Sequence, residues 1–290
     1  MDRKLETKKG AVMALLVSTV IWGVSFSVIK VAVADVDPFF LITLRFLIAA
    51  LIVLGIVLAL RRPIKKLLNN KILWILGVTN AVGFAMEFYG LTLTTATKAS
   101  LLVNINVVFM AIFAAAMLNE KVSSRAKLGI LVGILGVFLT TTGGDMSTLL
   151  SGSSLGDLII FAGGIVWAYS NIYNKRAATE LGLSAMEVTE SMTLITAIAL
   201  LPLLPFSSFA FPISVFSVSA LLYLSVACTI LGFLLFYMAL KTLSVVNSGV
   251  VLLFEIVVAI IVASIFLGES ITPVGAIGGV LIGASILLVS

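Results

Sequence analysis

Ten stretches of 17–28 mostly apolar residues follow one another along this 290-residue chain, parted by short polar breaks. A helix needs roughly 20 such residues to cross the ~30 Å hydrocarbon core of a bilayer. Read as helices, the stretches place spans at 11–33, 38–60, 72–93, 97–118, 126–142, 156–174, 184–205, 213–240, 245–267 and 272–289. None alternates polar and apolar residues with a period of two, which argues against a transmembrane barrel. Only 11% of residues are charged and mean hydropathy is +1.26, whereas a soluble domain carries about 25% charged residues. The expected fold class is an all-α integral membrane protein of ten transmembrane helices.

The charges orient these spans. Fifteen of the 18 basic residues fall at the N-terminus or in even-numbered connections, among them Arg61, Arg62, Lys121, Arg125 and Lys241. The odd-numbered connections hold only Lys98, and Lys30 and Arg45 lie inside spans. By the positive-inside rule both termini are expected in the cytoplasm, with the chain in a cell membrane. The first span is long and lacks a small-residue cleavage site, so a cleaved signal peptide is not expected. The net charge of +5 is thus a matter of topology, and no nucleic-acid partner is expected.

Several chemistries are excluded by composition. The chain has no histidine, and its one cysteine is Cys228. No intrachain disulfide, cysteine metal cluster or histidine-based proteolysis can be built. No G-x-x-x-x-G-K-[ST] phosphate loop is present, so this chain cannot hydrolyse ATP through one. Gly143-Gly144-Asp145 faintly resembles an aspartyl-protease signature, but it ends a span and has no second intramembrane aspartate. No enzyme and no cofactor are expected.

The chain also repeats itself. Trp22 and Lys30, seven residues between them, return 145 positions later as Trp167 and Lys175. Leu118-Asn119-Glu120 ends span four and Leu267-Gly268-Glu269 ends span nine, and glycines follow both, at Gly129, Gly133, Gly136 and at Gly275, Gly278, Gly279, Gly283. The Gly/Ser-rich stretch 143–155 is the natural seam, giving units 11–142 and 156–289. Five spans per unit is an odd number, so the second unit should be inverted relative to the first. Inverted repeats of this kind place a binding site near the membrane midplane between them.

These motifs, with Trp22-Gly23, Pro38 and Arg45 seven residues on, and the run Tyr89–Leu102, resemble the EamA-like family of the drug/metabolite transporter superfamily over essentially the whole chain. Two features depart from the family pattern: Val107 and Ile256 stand where proline is common, and Met192 falls where a second-half counterpart of Arg45 would be. The resemblance implies a carrier of amino acids, related metabolites or drugs, commonly exported.

Charged groups inside spans are costly and default to a functional hypothesis. Glu255, ten residues into span nine and ~15 Å along its axis, matches a glutamate common in the family. It is a candidate proton carrier or partner for a substrate ammonium, the alternative being a structural glutamate joining helices. Asn106 takes the matching place in the first half, where an interhelical hydrogen bond is the plainer role. Lys30, Arg45 and Glu87 are expected in the outer third of the membrane, either as a salt-bridged cluster or as an anion-attracting vestibule; Lys30 could instead snorkel to the interface. Lys175 reads as an anchor at the cytoplasmic end of span six, and Glu190 has no evident partner. Trp22 and Trp167 sit too deep for an interfacial belt and suit a cavity lining, whereas Trp74 suits the belt. Tyr89 and Tyr237 occupy near-equivalent places and could donate to substrate or simply pack. The glycines of spans five and ten suit close packing of those spans or of a second protomer. Glu120 and Glu269 suit capping of neighbouring helices.

Together these readings point to a secondary transporter working by alternating access, with a small-molecule substrate, the lipid bilayer and, where Glu255 carries one, a proton as partners, as a monomer or homodimer. A facilitative carrier, an exchanger or a channel is the alternative.

Overall fold

The computed structural model describes residues 7–63, 68–145, 147, 153–210, 214–268 and 271–289. Glu269, Arg3, Lys4, Lys65, Lys66 and much of the 143–155 seam lie outside them. The described residues form α1 (Lys8–Ala32), α2 (Pro38–Ala59), α3 (Lys71–Leu93), α4 in two segments (Ala96–Asn104 and Asn106–Leu118) and α5 (Ser124–Thr142). The second half follows with α6 (Ser154–Glu180), α7 (Ala185–Leu200, continued by a 3-10 turn to Phe206), α8 in three segments (Val215–Leu222, Tyr223–Leu231, Gly232–Leu240), α9 in two (Val245–Leu252 and Phe254–Leu267) and α10 (Pro273–Val289). Nine of these are 18 residues or longer and apolar enough to cross a membrane; α10 has 17 residues, ~25 Å of helix. The protein is a multi-pass, all-α membrane protein of two inverted five-helix repeats.

Polar residues punctuate the helices as the capping rules require. Side chains of Thr7, Asp37, Asn70, Thr95, Ser123, Ser153, Ser184 and Ser244 each accept an N–H of the turn they begin. The repeated Leu-Asn-Glu and Leu-Gly-Glu motifs have the same backbone cause. Asn119 (φ 53°) and Gly268 (φ 71°) end α4 and α9 in the left-handed conformation, their N–H groups returning to the carbonyls of Ala114 and Ala263. Glycine and asparagine tolerate that geometry best. Glu120 then reaches across, one oxygen accepting the N–H of Val245 at 3.2 Å, and so caps the start of α9.

Span six runs six residues beyond the expected 174. Asn171, Tyr173, Asn174 and Lys175 look like a span end in sequence, but their polar groups are satisfied inside the bundle. Lys175 is therefore within α6, its ammonium donating to the carbonyls of Leu240 and Leu243 at 2.6 and 2.8 Å. Glu190, fully buried, accepts from Arg62 at 2.6 Å, which ties the end of α2 to α7.

Each half lends its first helix to the other. α1 packs against the last segment of α8 and the second segment of α9; α6 packs against α3 and the second segment of α4. α5 and α10 pack on each other, with Gly129, Gly133 and Gly136 against Val289, Ser285 and Ile282. α4 and α9 both break near mid-length. Val108 donates to Ile105 and Ile256 to Leu253, bonds three residues apart instead of four, so a tightened 3-10 turn makes the break where proline is missing. The first segment of each touches the second segment of the other, so α4 and α9 cross at their breaks.

Candidate functional site

At this crossing the bundle holds a cavity that, counted together with the open solvent at its mouth, has about 620 Å³ free of protein atoms. Asn106 opens the second segment of α4 and Glu255 is the second residue of the second segment of α9. The helix breaks therefore set both side chains on the cavity wall. α1 comes in closely here: a Cβ on Gly23 would lie 2.7 Å from the carbonyl oxygen of Glu255. The Trp22-Gly23 pair is thus one device, the tryptophan lining the cavity and the glycine letting α1 approach.

Of the residues singled out in sequence, Trp22, Arg45, Glu87, Asn106, Trp167 and Glu255 line the same cavity. Arg45 and Glu87 share this cavity with Glu255, and Lys30 is not part of its lining. Arg45 is seven residues into α2 and Glu87 six from the end of α3, so each is ~10 Å deep along its helix. Lys30 faces elsewhere, its ammonium donating to the carbonyls of Leu91 and Thr94 at 2.8 and 2.7 Å. Tyr89 also lies off the cavity, 38% exposed and stacked on Phe39 at 5.6 Å. Tyr237 is fully buried behind the wall and donates to Asn174 Oδ1 at 2.8 Å. The glutamate motifs are 149 positions apart, a register that pairs Tyr237 with Phe88; one residue of helix turns Tyr89 about 100° away.

Arg45 is 2% exposed. Its Nε donates to Thr229 Oγ1 at 2.9 Å, and its guanidinium carbon lies 4.6 Å from the Phe84 ring centroid. Cation–π contact in a dry site contributes about 2 kcal/mol. Among the described residues no carboxylate pairs with it within 4.0 Å. Glu87 (7% exposed) and Glu255 (9%) line the cavity with no protein hydrogen bond or ion pair among the described residues. The site therefore presents one guanidinium and two carboxyls that are not neutralised by direct pairing.

Aromatic rings frame these charges. Trp22 packs on Phe233 and Phe236 at 5.1 and 5.5 Å, and Phe84 meets Trp167 edge-on at 4.7 Å. Trp22 Nε1 donates to the carbonyl of Cys228 at 2.9 Å. That carbonyl belongs to a π-helical stretch, Tyr223–Leu231, in which Thr229 Oγ1 also reaches Leu224 O five residues back. π-Turns inside helices frequently mark functional sites.

Sequence reading missed Asn104, Asn171 and Asn174, which also line the cavity. Asn174 Nδ2 donates to Asn171 Oδ1 at 3.1 Å, so Tyr237, Asn174 and Asn171 form one chain of hydrogen bonds. The signal was present: Trp167, Asn171 and Asn174 fall at i, i+4 and i+7, one face of an otherwise apolar helix. Asn106 makes no interhelical bond through its Oδ1, which is buried without a partner.

Comparison with known proteins gives this cavity its context. The EamA-like transporter family matches residues 9–142 and again 154–290. An uncharacterized transporter of Archaeoglobus fulgidus is 28% identical over 95% of this chain and 96% of its own length. Proteins named probable amino-acid metabolite efflux pumps are similar too: 28% identical in Salmonella typhimurium, over 97% of this chain and 95% of that protein, and 27% in Escherichia coli, over 95% and 93%. A crystal structure with 18% sequence identity superposes with a TM-score of 0.79 over 98% of both chains, which shows the fold is shared. The chain belongs to the EamA-like transporter family and is a membrane transporter.

Proposed function

We propose that this transporter carries small amine-bearing metabolites, zwitterionic amino acids or organic cations, through the cavity between its halves by alternating access. The observation that carries the reading is the meeting of Arg45, Glu87 and Glu255 at one cavity where two broken helices cross. A guanidinium can hold a substrate carboxylate in a planar fork, and a carboxyl can hold its ammonium. Trp22, Trp167 and Phe84 supply apolar walls for the rest of the solute. The relatives named as efflux pumps favour export, from the cytoplasm across the cell membrane, with both termini inside. The units that rock against one another are 11–142 and 156–289, exchanging their first helices as described.

Purified protein in liposomes tests this. A thermal-shift screen of amino acids, nucleosides and cationic drugs should show stabilisation by amine-bearing solutes, since a ligand of the folded state alone raises the melting temperature. Glu255→Gln should abolish pH-dependent uptake while the protein stays folded; coupling unchanged in that variant removes Glu255 from the mechanism. Saturation and counterflow distinguish a carrier or exchanger from a channel, which would pass single-channel current.

A further inference from the structure

We propose that the cavity carries one excess negative charge, balanced either by one proton or by one net positive charge on the solute, so that monocationic amines exchange for a proton while zwitterions do not. The inference rests on the substrate site proposed above and assigns its coupling rule.

Among the described residues, the charged side chains lining the cavity are Arg45, Glu87 and Glu255. The other charged groups on the elements packed around them do not line it. On α1, Lys30 is engaged with the carbonyls of Leu91 and Thr94. On α4, Lys98 pairs with Asp157 of α6 at 2.5 Å. On α7, Glu190 is held by Arg62, and on α6, Lys175 by the end of α8. On α8, the Tyr223 hydroxyl donates to Ile21 O and Cys228 is buried beside it. Asn104, Asn106, Asn171 and Asn174 are neutral. One guanidinium therefore faces two carboxyls, and an uncompensated charge away from bulk water is neutralised by taking up a proton. Sharing one proton between two carboxyls is the usual answer when both cannot ionise. A solute of net charge +1 supplies the missing charge; the carboxyl then releases its proton to the water of the open cavity as the solute enters. Solute moves one way and the proton the other, with no net charge crossing. A zwitterion brings no net charge, and the proton stays.

Infrared difference spectra of the purified protein at neutral pH count protonated carboxyls. Wild type compared with Glu255→Gln, and with Glu87→Gln, should show one protonated-carboxyl stretch lost in each variant, because either substitution leaves one carboxylate facing one guanidinium. Arg45→Met should gain one. A stretch that survives in Glu87→Gln or in Glu255→Gln overturns the count, and the two variants approach it from opposite sides if one fails to fold. Lysine and norleucine differ by one ammonium and serve as solutes. Bound lysine should remove the wild-type stretch and release one proton per molecule; bound norleucine should leave it. A stretch untouched by bound lysine also overturns the proposal. If neither solute binds, the amino-acid reading of the site fails, while the variant spectra still decide the charge count.

Discussion

Lys30 and Lys175 do the same work in opposite halves. Each rises from the first helix of its repeat and gives its ammonium to two carbonyls at the C-terminal end of that repeat's third helix: Leu91 and Thr94 for one, Leu240 and Leu243 for the other. The last carbonyls of a helix have no intrahelical partner, and a cation there also meets the negative end of the helix dipole. Neither lysine lines the cavity, so the Trp-to-Lys frame that repeats in sequence joins a wall residue to a helix cap.

Lys30→Met and Lys175→Met should therefore destabilise the fold by similar amounts, about 1.5–3 kcal/mol each, the usual range for hydrogen bonds to a charged group. Thermal unfolding in detergent measures this. Arg in either place should restore part of the loss. A variant unchanged in stability would show that the cap is dispensable.

The Arg62–Glu190 pair should respond unequally to its two deletions. Glu190 has a fully buried side chain, whereas that of Arg62 is 26% exposed. Arg62→Ala strands a buried carboxylate and should cost about 3 kcal/mol or more. Glu190→Gln leaves an arginine that can still reach water and should cost about 1 kcal/mol. Denaturant or thermal unfolding of the two variants checks the order, and the reverse order would show that the charge of Glu190 is not the stranded one.

The glycines of α10 separate into contact and open positions. A Cβ on Gly278 would strike Thr140 and the carbonyl of Gly136, whereas one on Gly283 would meet nothing within 4 Å. Gly278→Ala should cost about 1–3 kcal/mol through overpacking. Gly283→Ala should be neutral or stabilise by about 0.5–1 kcal/mol, because alanine is the better helix former. Equal melting temperatures for the two would show that α5 and α10 do not meet as described.

How far sequence reached into this structure depended on the physics behind each signal. Span ends were legible because apolar length and capping residues are local, and the paired αL positions Asn119 and Gly268 are written in residue type. Inversion was legible from five spans per unit and the distribution of arginine and lysine. The partner of Glu190 was not, since Arg62 lies 128 positions away and outside the expected spans. The end of α6 was misplaced because Asn171, Asn174 and Lys175 are polar for internal reasons, and composition does not distinguish a polar cavity wall from a membrane surface. Helix rotation was the weakest inference: Tyr89 and Tyr237 look equivalent, yet one faces outward and the other is buried. The π-turn over Tyr223–Leu231 left no mark at all that periodicity could detect.

That turn makes the two tryptophans unequal. In α8 it leaves the carbonyl of Cys228 to accept Trp22 Nε1. The position 149 residues earlier is Thr79, inside the regular helix α3, whose carbonyls are committed to their own ladder. Trp167 Nε1 is accordingly buried with no partner. Trp22→Phe deletes a donor and leaves a buried carbonyl unmatched, at about 1–3 kcal/mol beyond the loss of ring contacts. Trp167→Phe deletes an N–H that was already unmatched, so its cost is packing alone. Trp22→Phe should therefore be the more destabilising by about 2 kcal/mol, read from thermal unfolding of the two purified variants side by side. Equal losses, or a larger one at Trp167, would mean that the Cys228 carbonyl does not hold Trp22 in place.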